Sequence, residues 1–380
     1  MRKVILVLVV GLFCLLFVQK SFAYDPHSLP NNKFGVHILF PSEIIDAAKI
    51  INSSGGDWGY VTIPIQSGDK DLVKWQQFMN DAKRLHVIPI IRLATNGDYF
   101  NTKVWEKPTD TNVLDFANFL NSLTWPTQNR YVVIYNEVNR GNEWGGKPDA
   151  TEYASILSYA VSTFKTKNKD FFILSAGLDN AAANTESSLN EYYFMQQMDV
   201  AVPGIFNQID GLASHSYPNP GFSEPPSDNG SESVATFKSE YQLAESLSIK
   251  KLPVFITETG WSTANLSDST IASYFKTAFE SVWSDENVIA VTPFLLKAGS
   301  PPFDQFSLID VNGNESLRCE AISDYPKIKG SPVLTKVETV LGTETLKPTI
   351  ILKSFQESKE VSPEFKRKVA ISIYNWLLKL

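Results

Sequence analysis

Two glutamates stand out by their neighbours. Glu137 lies in Tyr135-Asn136-Glu137-Val138-Asn139, directly after one apolar run, and Glu258 lies in Thr257-Glu258-Thr259-Gly260-Trp261, directly after another. Two carboxyl groups facing each other across a single bond can cleave a glycosidic linkage. One, protonated, donates to the departing oxygen, while the other acts as a carboxylate on the carbon left behind. Asn136 beside the acid can hydrogen-bond a sugar hydroxyl, a contact that tightens as positive charge develops. An Asn-Glu pair alone is a weak signal, because a glutamate at the end of a strand is more often a solvated surface group. A third polar cluster, His215-Ser216-Tyr217, also follows an apolar run. These clusters are far apart in the chain, so the chemistry needs a fold that brings the ends of several runs to one place.

The rhythm of the sequence points to such a fold. Short, nearly continuous apolar runs predict strands at Phe34–Leu39, Trp58–Ile63, Val87–Leu93, Tyr131–Tyr135, Phe171–Ala176, Gly211–His215, Pro253–Thr257 and Ile289–Leu295, each buried on both faces. Amphipathic segments alternate with them at Ser42–Ile51, Leu72–Leu85, Val113–Leu123, Glu152–Phe164, Val234–Leu247 and Ile271–Trp283, with a weaker one around Asn190–Met198. Eight strand–helix units match a single (β/α)8 TIM barrel spanning residues 24–330. An open doubly wound sheet would carry a glycine-rich phosphate loop after its first strand, and Leu39-Phe40-Pro41 is not one. In a closed barrel, polar residues at the C-terminal strand ends share one mouth, which is where all three clusters fall.

With those residues in place, the chain resembles the large clan of retaining (β/α)8 glycoside hydrolases that carry Asn-Glu at strand 4 and a nucleophilic Glu at strand 7. The resemblance covers roughly residues 34–320. It implies Glu137 as acid/base, Asn136 as the hydroxyl-binding neighbour and Glu258 as nucleophile. By the same resemblance Tyr217 hydrogen-bonds the nucleophile and His215 lines the site. Arg92, at the end of strand 3, is implied as the cation that keeps Glu258 ionised, although many clan members place that arginine on strand 2. The clan commonly supplies a tryptophan floor from strand 8. Here that strand reads Val291-Thr292-Pro293-Phe294-Leu295-Leu296-Lys297, so Phe294 or Trp261 is left to provide the platform. The implied mechanism is double displacement, with the charge of Glu258 raising the pKa of Glu137 and so keeping it protonated. No cofactor or metal is required.

Other residues bear on the substrate. Trp144, in Arg140-Gly141-Asn142-Glu143-Trp144-Gly145-Gly146, is a candidate stacking platform or a cap on the barrel rim. His37, ending strand 1, either touches the terminal sugar or is a structural histidine. The loops Asn96-Gly97-Asp98-Tyr99 and Tyr217-Pro218-Asn219-Pro220-Gly221 are candidate walls. Long loops on several strands suit an open groove for a polymer better than a closed pocket. The expected partner is therefore a poly- or oligosaccharide. The alternatives are a barrel that binds glycan without cleaving it, an inverting hydrolase, or a transglycosylase on the same site.

Composition narrows the field further. The chain has 34 Lys and Arg against 41 Asp and Glu, a net charge of −7, which gives no footprint for tracking nucleic-acid phosphates. With only Cys14 and Cys319, a disulfide scaffold is excluded, and the four histidines contain no HExxH pattern for zinc. Arg2 and Lys3 precede an apolar run from Val4 to Val18, and Ser21-Phe22-Ala23 offers a small-residue exit. That run is shorter than the ~20 residues of a membrane-spanning helix. Residues 1–23 therefore read as a secretory signal peptide, or alternatively as an uncleaved N-terminal membrane anchor, placing the protein outside the cell or in its envelope. Residues 331–380 read as a C-terminal extension. Ser362-Pro363-Glu364 starts a helix there whose stripe Phe365, Val369, Ile373, Trp376 and Leu380 either packs on the barrel or touches a membrane surface.

Overall fold

The fold is described from a computed structural model, covering residues 23–335. The export signal and the amphipathic C-terminal helix expected from the sequence lie outside the described residues. Eight parallel strands follow one another: β1 (Gly35–His37), β2 (Gly59–Gln66), β3 (Val87–Ala94), β4 (Arg130–Val133), β5 (Phe171–Leu174), β6 (Leu212–His215), β7 (Val254–Glu258) and β8 (Val288–Val291). Ladders run β1-β2-β3-β4-β5 and β6-β7-β8. Both seams between them are closed. Leu174 pairs in parallel with Gly211, and Phe34 with Val291. Across the first seam the Asp210 N–H donates to Ile173 O at 2.9 Å; across the second, His37 N–H donates to Pro293 O at 3.0 Å. The chain forms a (β/α)8 barrel.

Between the strands lie α1 (Ile44–Ile51), α2 (Leu72–Arg84), α3 (Asp110–Ser122), α4 (Ala150–Lys167), α5 (Glu191–Ala201), α6 (Ile205–Gln208), α7 (Thr236–Ser246), α8 (Asp268–Thr277) and α9 (Leu317–Ser323). Asp71, Thr109, Asp149, Asn190 and Ser267 cap their helices by accepting first-turn N–H groups, which fixes where each begins. The helix expected at Ile271–Trp283 is split: α8 ends at Thr277 and the chain continues as a π-helical turn, Ala278–Val282.

Two cores result. Outward-facing strand residues pack against the helices in the larger one. The barrel interior is aromatic: Tyr60, Tyr131, Phe172 and Phe255 meet at ring separations of 5.0 to 6.3 Å. This plug fills the lower barrel, so only the C-terminal mouth is left to hold a ligand. On the other side of the barrel, residues 331–335 are tied in. Gln128 N–H donates to Val333 O at 2.7 Å, and Ser331 N–H to Pro30 O at 2.8 Å.

Strand ends differ from the sequence reading where the backbone changes course. The fourth strand, expected to reach Tyr135, stops at Val133 because Tyr135 takes a left-handed conformation, φ 67°. The eighth, expected to reach Leu295, stops at Val291, two residues before Pro293, which has no N–H for a ladder.

Candidate active site

Parity of the strands decides what the mouth receives. Ile88 and Ile90 face into the barrel from β3, so Arg92 points the same way two residues on. Ala213 does the same on β6 and sets up His215. Glu258 breaks the rule, since counting from the inward Phe255 would turn Thr257 inward instead. The register shows the reason: Ser214 pairs with Ile256 but His215 pairs with Glu258, so β7 carries one extra residue at Thr257. This bulge re-aims Glu258 at the mouth, a common device beside active sites. On β4 the same result comes from left-handed turns at Tyr135 (φ 67°) and Glu137 (φ 37°). Tyr135 thereby joins the outer core, and Glu137 is swung over the barrel. Such conformations cost of order 1–3 kcal/mol and persist where the surroundings hold them. Here the Glu137 N–H donates to Gly177 O at 2.9 Å and its carbonyl accepts from Arg140 N–H at 2.8 Å.

The groups meet in one cluster. An oxygen of Glu137, a nitrogen of His215 and an oxygen of Glu258 lie within 4.8 Å of one another. That matches the roughly 5–5.5 Å between carboxyl groups in a direct-attack arrangement rather than the 6.5–9.5 Å that admits a water. Glu258 is nearly buried, and both its oxygens are held: Oε1 accepts from Arg92 Nη1 at 3.1 Å, Oε2 from the Tyr217 hydroxyl at 3.0 Å. Arg92 also donates to Asn136 Oδ1. Glu137 Oε1 and His215 Nδ1 are 3.1 Å apart, and Arg140 Nη1 lies 3.5 Å from Glu137 Oε2. Two carboxylates and an imidazole this close resemble a metal-ligand set. However, Arg92 and Arg140 put positive charge where a cation would have to sit.

Gly177 makes room for this arrangement, since a Cβ there would meet His215 Cδ2 at 2.1 Å. His37 is wholly buried, 3.5 Å from Glu258 Oε1 and 5.1 Å from the Phe294 ring. It packs beside the Glu258 carboxylate and is not among the residues that line the cavity. Burial, then Arg92 and His215, push its pKa well below the ordinary imidazole value, so it is neutral.

The proton balance of the cluster differs from the expected one. Burial raises Glu137, but the His215 hydrogen bond and the charges of His215, Arg140 and Arg92 outweigh it, and its carboxyl is held below the usual value. His215 moves the other way: burial lowers it, yet Glu258 and Glu137 together bring it above the usual imidazole value. The balance therefore favours the proton on His215, and Glu258 does not keep Glu137 protonated. Glu143 is a further shifted carboxyl. Burial and the charge of Glu137 push it up to about 7.

A cavity of about 540 Å³ opens above the cluster, within the range of small-ligand sites. Its polar side is lined by Asn136, Glu137, Arg140, Glu143 and Asp179. Asn136 Nδ2 donates to Glu143 Oε2 at 3.4 Å, and Arg140 Nη1 lies 3.2 Å from Asp179. Facing them is an apolar side that includes Phe100, Phe222, Phe294, Phe303 and Phe306.

Two expected platforms are absent from this lining. Trp144 is fully buried between Tyr135 and Tyr153, at 6.2 and 5.7 Å, so it closes the core under the β4 loop. Trp261 is 1% exposed among Tyr274, Phe275 and Trp283, with its Nε1 donating to Glu224 O. Phe294 does face the cavity. Sequence reasoning passed over Glu143, Phe303 and Phe306 as individual residues. For Glu143 a signal existed: it is a third carboxylate in the loop that follows Glu137.

No known family model matches the chain, and no curated protein does. Solved structures do match. A family 39 glycoside hydrolase from Bacteroides cellulosilyticus is 16% identical with a TM-score of 0.54 over 79% of this chain. This chain spans 64% of that protein's length, less than two thirds. A GH39 β-xylosidase from Caulobacter crescentus is 13% identical, TM-score 0.53, over 80% of this chain and 72% of its own. A GH5_18 protein from Bifidobacterium longum subsp. infantis is 13% identical, TM-score 0.56, over 79% and 81%. The likeness is one of fold. These neighbours are barrels of the glycoside hydrolase type, in agreement with the architecture read from the sequence.

Proposed function

We propose that the protein is a retaining β-glycosidase that uses Glu258 as nucleophile and the Glu137–His215 pair as acid and then base. The observation that carries this reading is the pair of carboxylates within 4.8 Å at the mouth of a closed barrel, one of them gripped by Arg92 and Tyr217. Glu258 attacks the anomeric carbon, forming a covalent glycosyl-enzyme, while the leaving oxygen takes its proton from Glu137. That proton reaches Glu137 from His215 through the 3.1 Å contact as the bond breaks, so the pair gives up its one proton and is left as carboxylate and neutral imidazole. The pair, now a base, takes a proton from the incoming water, which displaces Glu258 and restores the starting state. Asn136, oriented by Arg92, lies beside Glu137 to hold a sugar hydroxyl. The N-terminal segment, read as an export signal, supports a reaction outside the cytoplasm, on oligo- or polysaccharide.

The test is a panel of aryl β-glycosides with gluco-, manno-, xylo- and galacto-configured sugars. Glu258→Ala should lose turnover on every sugar the wild type accepts while keeping its fold by circular dichroism. Glu137→Ala should lose about 10²–10⁴-fold on poor leaving groups. Its loss should be far smaller on dinitrophenyl glycosides, which need no protonation. Wild-type rates in either variant, or binding without product by the parent, would exclude this reading.

A further inference from the structure

The loops around the mouth are fastened to one another rather than splayed. The β3 and β4 loops are joined where Trp105 N–H donates to Asn142 O at 2.7 Å and Gly145 N–H to Trp105 O at 2.9 Å. The β4 and β5 loops join through Gly141 N–H and Ser187 O at 2.7 Å. The β5 and β6 loops join through Asn219 Nδ2 and Asn180 Oδ1 at 2.9 Å. Asn265 Nδ2 donates to Gly221 O at 2.8 Å between the β7 and β6 loops, and Thr263 N–H to Gln305 O at 3.2 Å between β7 and β8.

One gap remains, over β1 and β2. Their loops are short, α1 being reached soon after His37 and α2 soon after Gln66. An open groove would run out there. Instead the two long flanking loops meet above them: the Phe100 and Phe303 rings are 5.7 Å apart, and Tyr99 packs on Phe40 at 6.5 Å. The reacting carboxylates sit deep under this ring, with side-chain exposures of 9% for Glu258 and 15% for Glu137.

We propose that the site is a pocket for a chain end, so that the enzyme removes single sugars from the non-reducing terminus of a β-linked oligosaccharide or small glycoside. This rests on the glycosidase reading above. A sugar whose anomeric carbon lies on Glu258 then meets the joined loops on its far side, which bar a preceding residue, and the leaving group departs toward solvent. The Phe100–Phe303 contact is the part of the wall that forbids internal cleavage.

The experiment uses β-linked oligosaccharides carrying a fluorophore at the reducing end, chosen from the series whose aryl glycoside is hydrolysed. Early time points should show a tagged ladder shortened one unit at a time, with monosaccharide the only untagged product. The Phe100→Ala/Phe303→Ala double variant, whatever its rate on the aryl glycoside, should release untagged products of two or more units. Tagged products of scattered length from the wild type would overturn the pocket while leaving the glycosidase reading intact. Monosaccharide-only release by an active double variant would overturn the role given to the two rings. Failure of the wild type on every aryl glycoside would overturn both readings together.

Discussion

At the scale of the residue, His215 and Glu137 divide one proton in an order the sequence does not disclose. Their opposite shifts, with His215 raised and Glu137 lowered, mean that in the productive state the pair carries one proton between them. The alkaline limb of kcat/KM then follows loss of that proton from the raised imidazole. In His215→Gln the limb should move to lower pH, because Glu137 alone must hold the proton with burial as its main support. A pH–rate profile on one aryl glycoside measures this; an unchanged limb would remove His215 from the proton's path. Glu137, Glu258, Asn136, Tyr217 and Arg92 were legible as a group because each follows an apolar run. The direction of the Glu137 shift was not, since it depends on a contact of 3.1 Å across 78 residues. Trp144 and Trp261 misled for a related reason: an aromatic in a glycine-rich loop reads the same whether its ring faces the cleft or the core.

At the scale of the element, the site depends on small departures from ideal strands. The β7 bulge and the left-handed turns after β4 turn two glutamates toward each other, and no alternation of apolar and polar residues encodes either. Gly177, beyond the end of β5, is a second such dependence. Gly177→Ala would drive a methyl into His215, whose ring atoms stand 2.1 to 3.0 Å from the added carbon. It should cut kcat by at least tenfold and lower the melting temperature, read by kinetics and thermal denaturation.

Behind β6, α5 and α7 press Glu191 and Glu240 together, 0% and 3% exposed. Burial, then the neighbouring Glu240, pushes Glu191 up to about 10, and burial pushes Glu240 up to about 7. Both folded values exceed the ordinary carboxyl value, so the folded state binds more protons than the unfolded chain from about pH 4.5 upward. Stability contributed by the protonated pair is therefore lost as pH rises through that window toward 10. Glu191→Gln keeps the shape without the charge, and should raise the melting temperature at pH 9 by a few degrees while leaving pH 5 nearly unchanged. An equal shift at both pH values would contradict this.

At the scale of the whole molecule, the barrel was legible because eight buried parallel strands must read as eight apolar runs, whichever residues fill them. What the loops do above the barrel was not. Their lengths suggested an open groove, yet hydrogen bonds between neighbouring loops and the Phe100–Phe303 contact draw them into a ring. Loop length is a local property, whereas closure depends on pairs such as Gly141 and Ser187 that meet only after folding.

The central claim is that Glu258 becomes covalently glycosylated. Incubation with a 2-deoxy-2-fluoro glycoside bearing a good leaving group, in the sugar configuration the enzyme accepts, should stall turnover at that intermediate. Mass spectrometry of the digested protein should then find one added fluorosugar on the peptide containing Glu258. Inactivation with the label elsewhere, or steady hydrolysis with no adduct, would contradict the account.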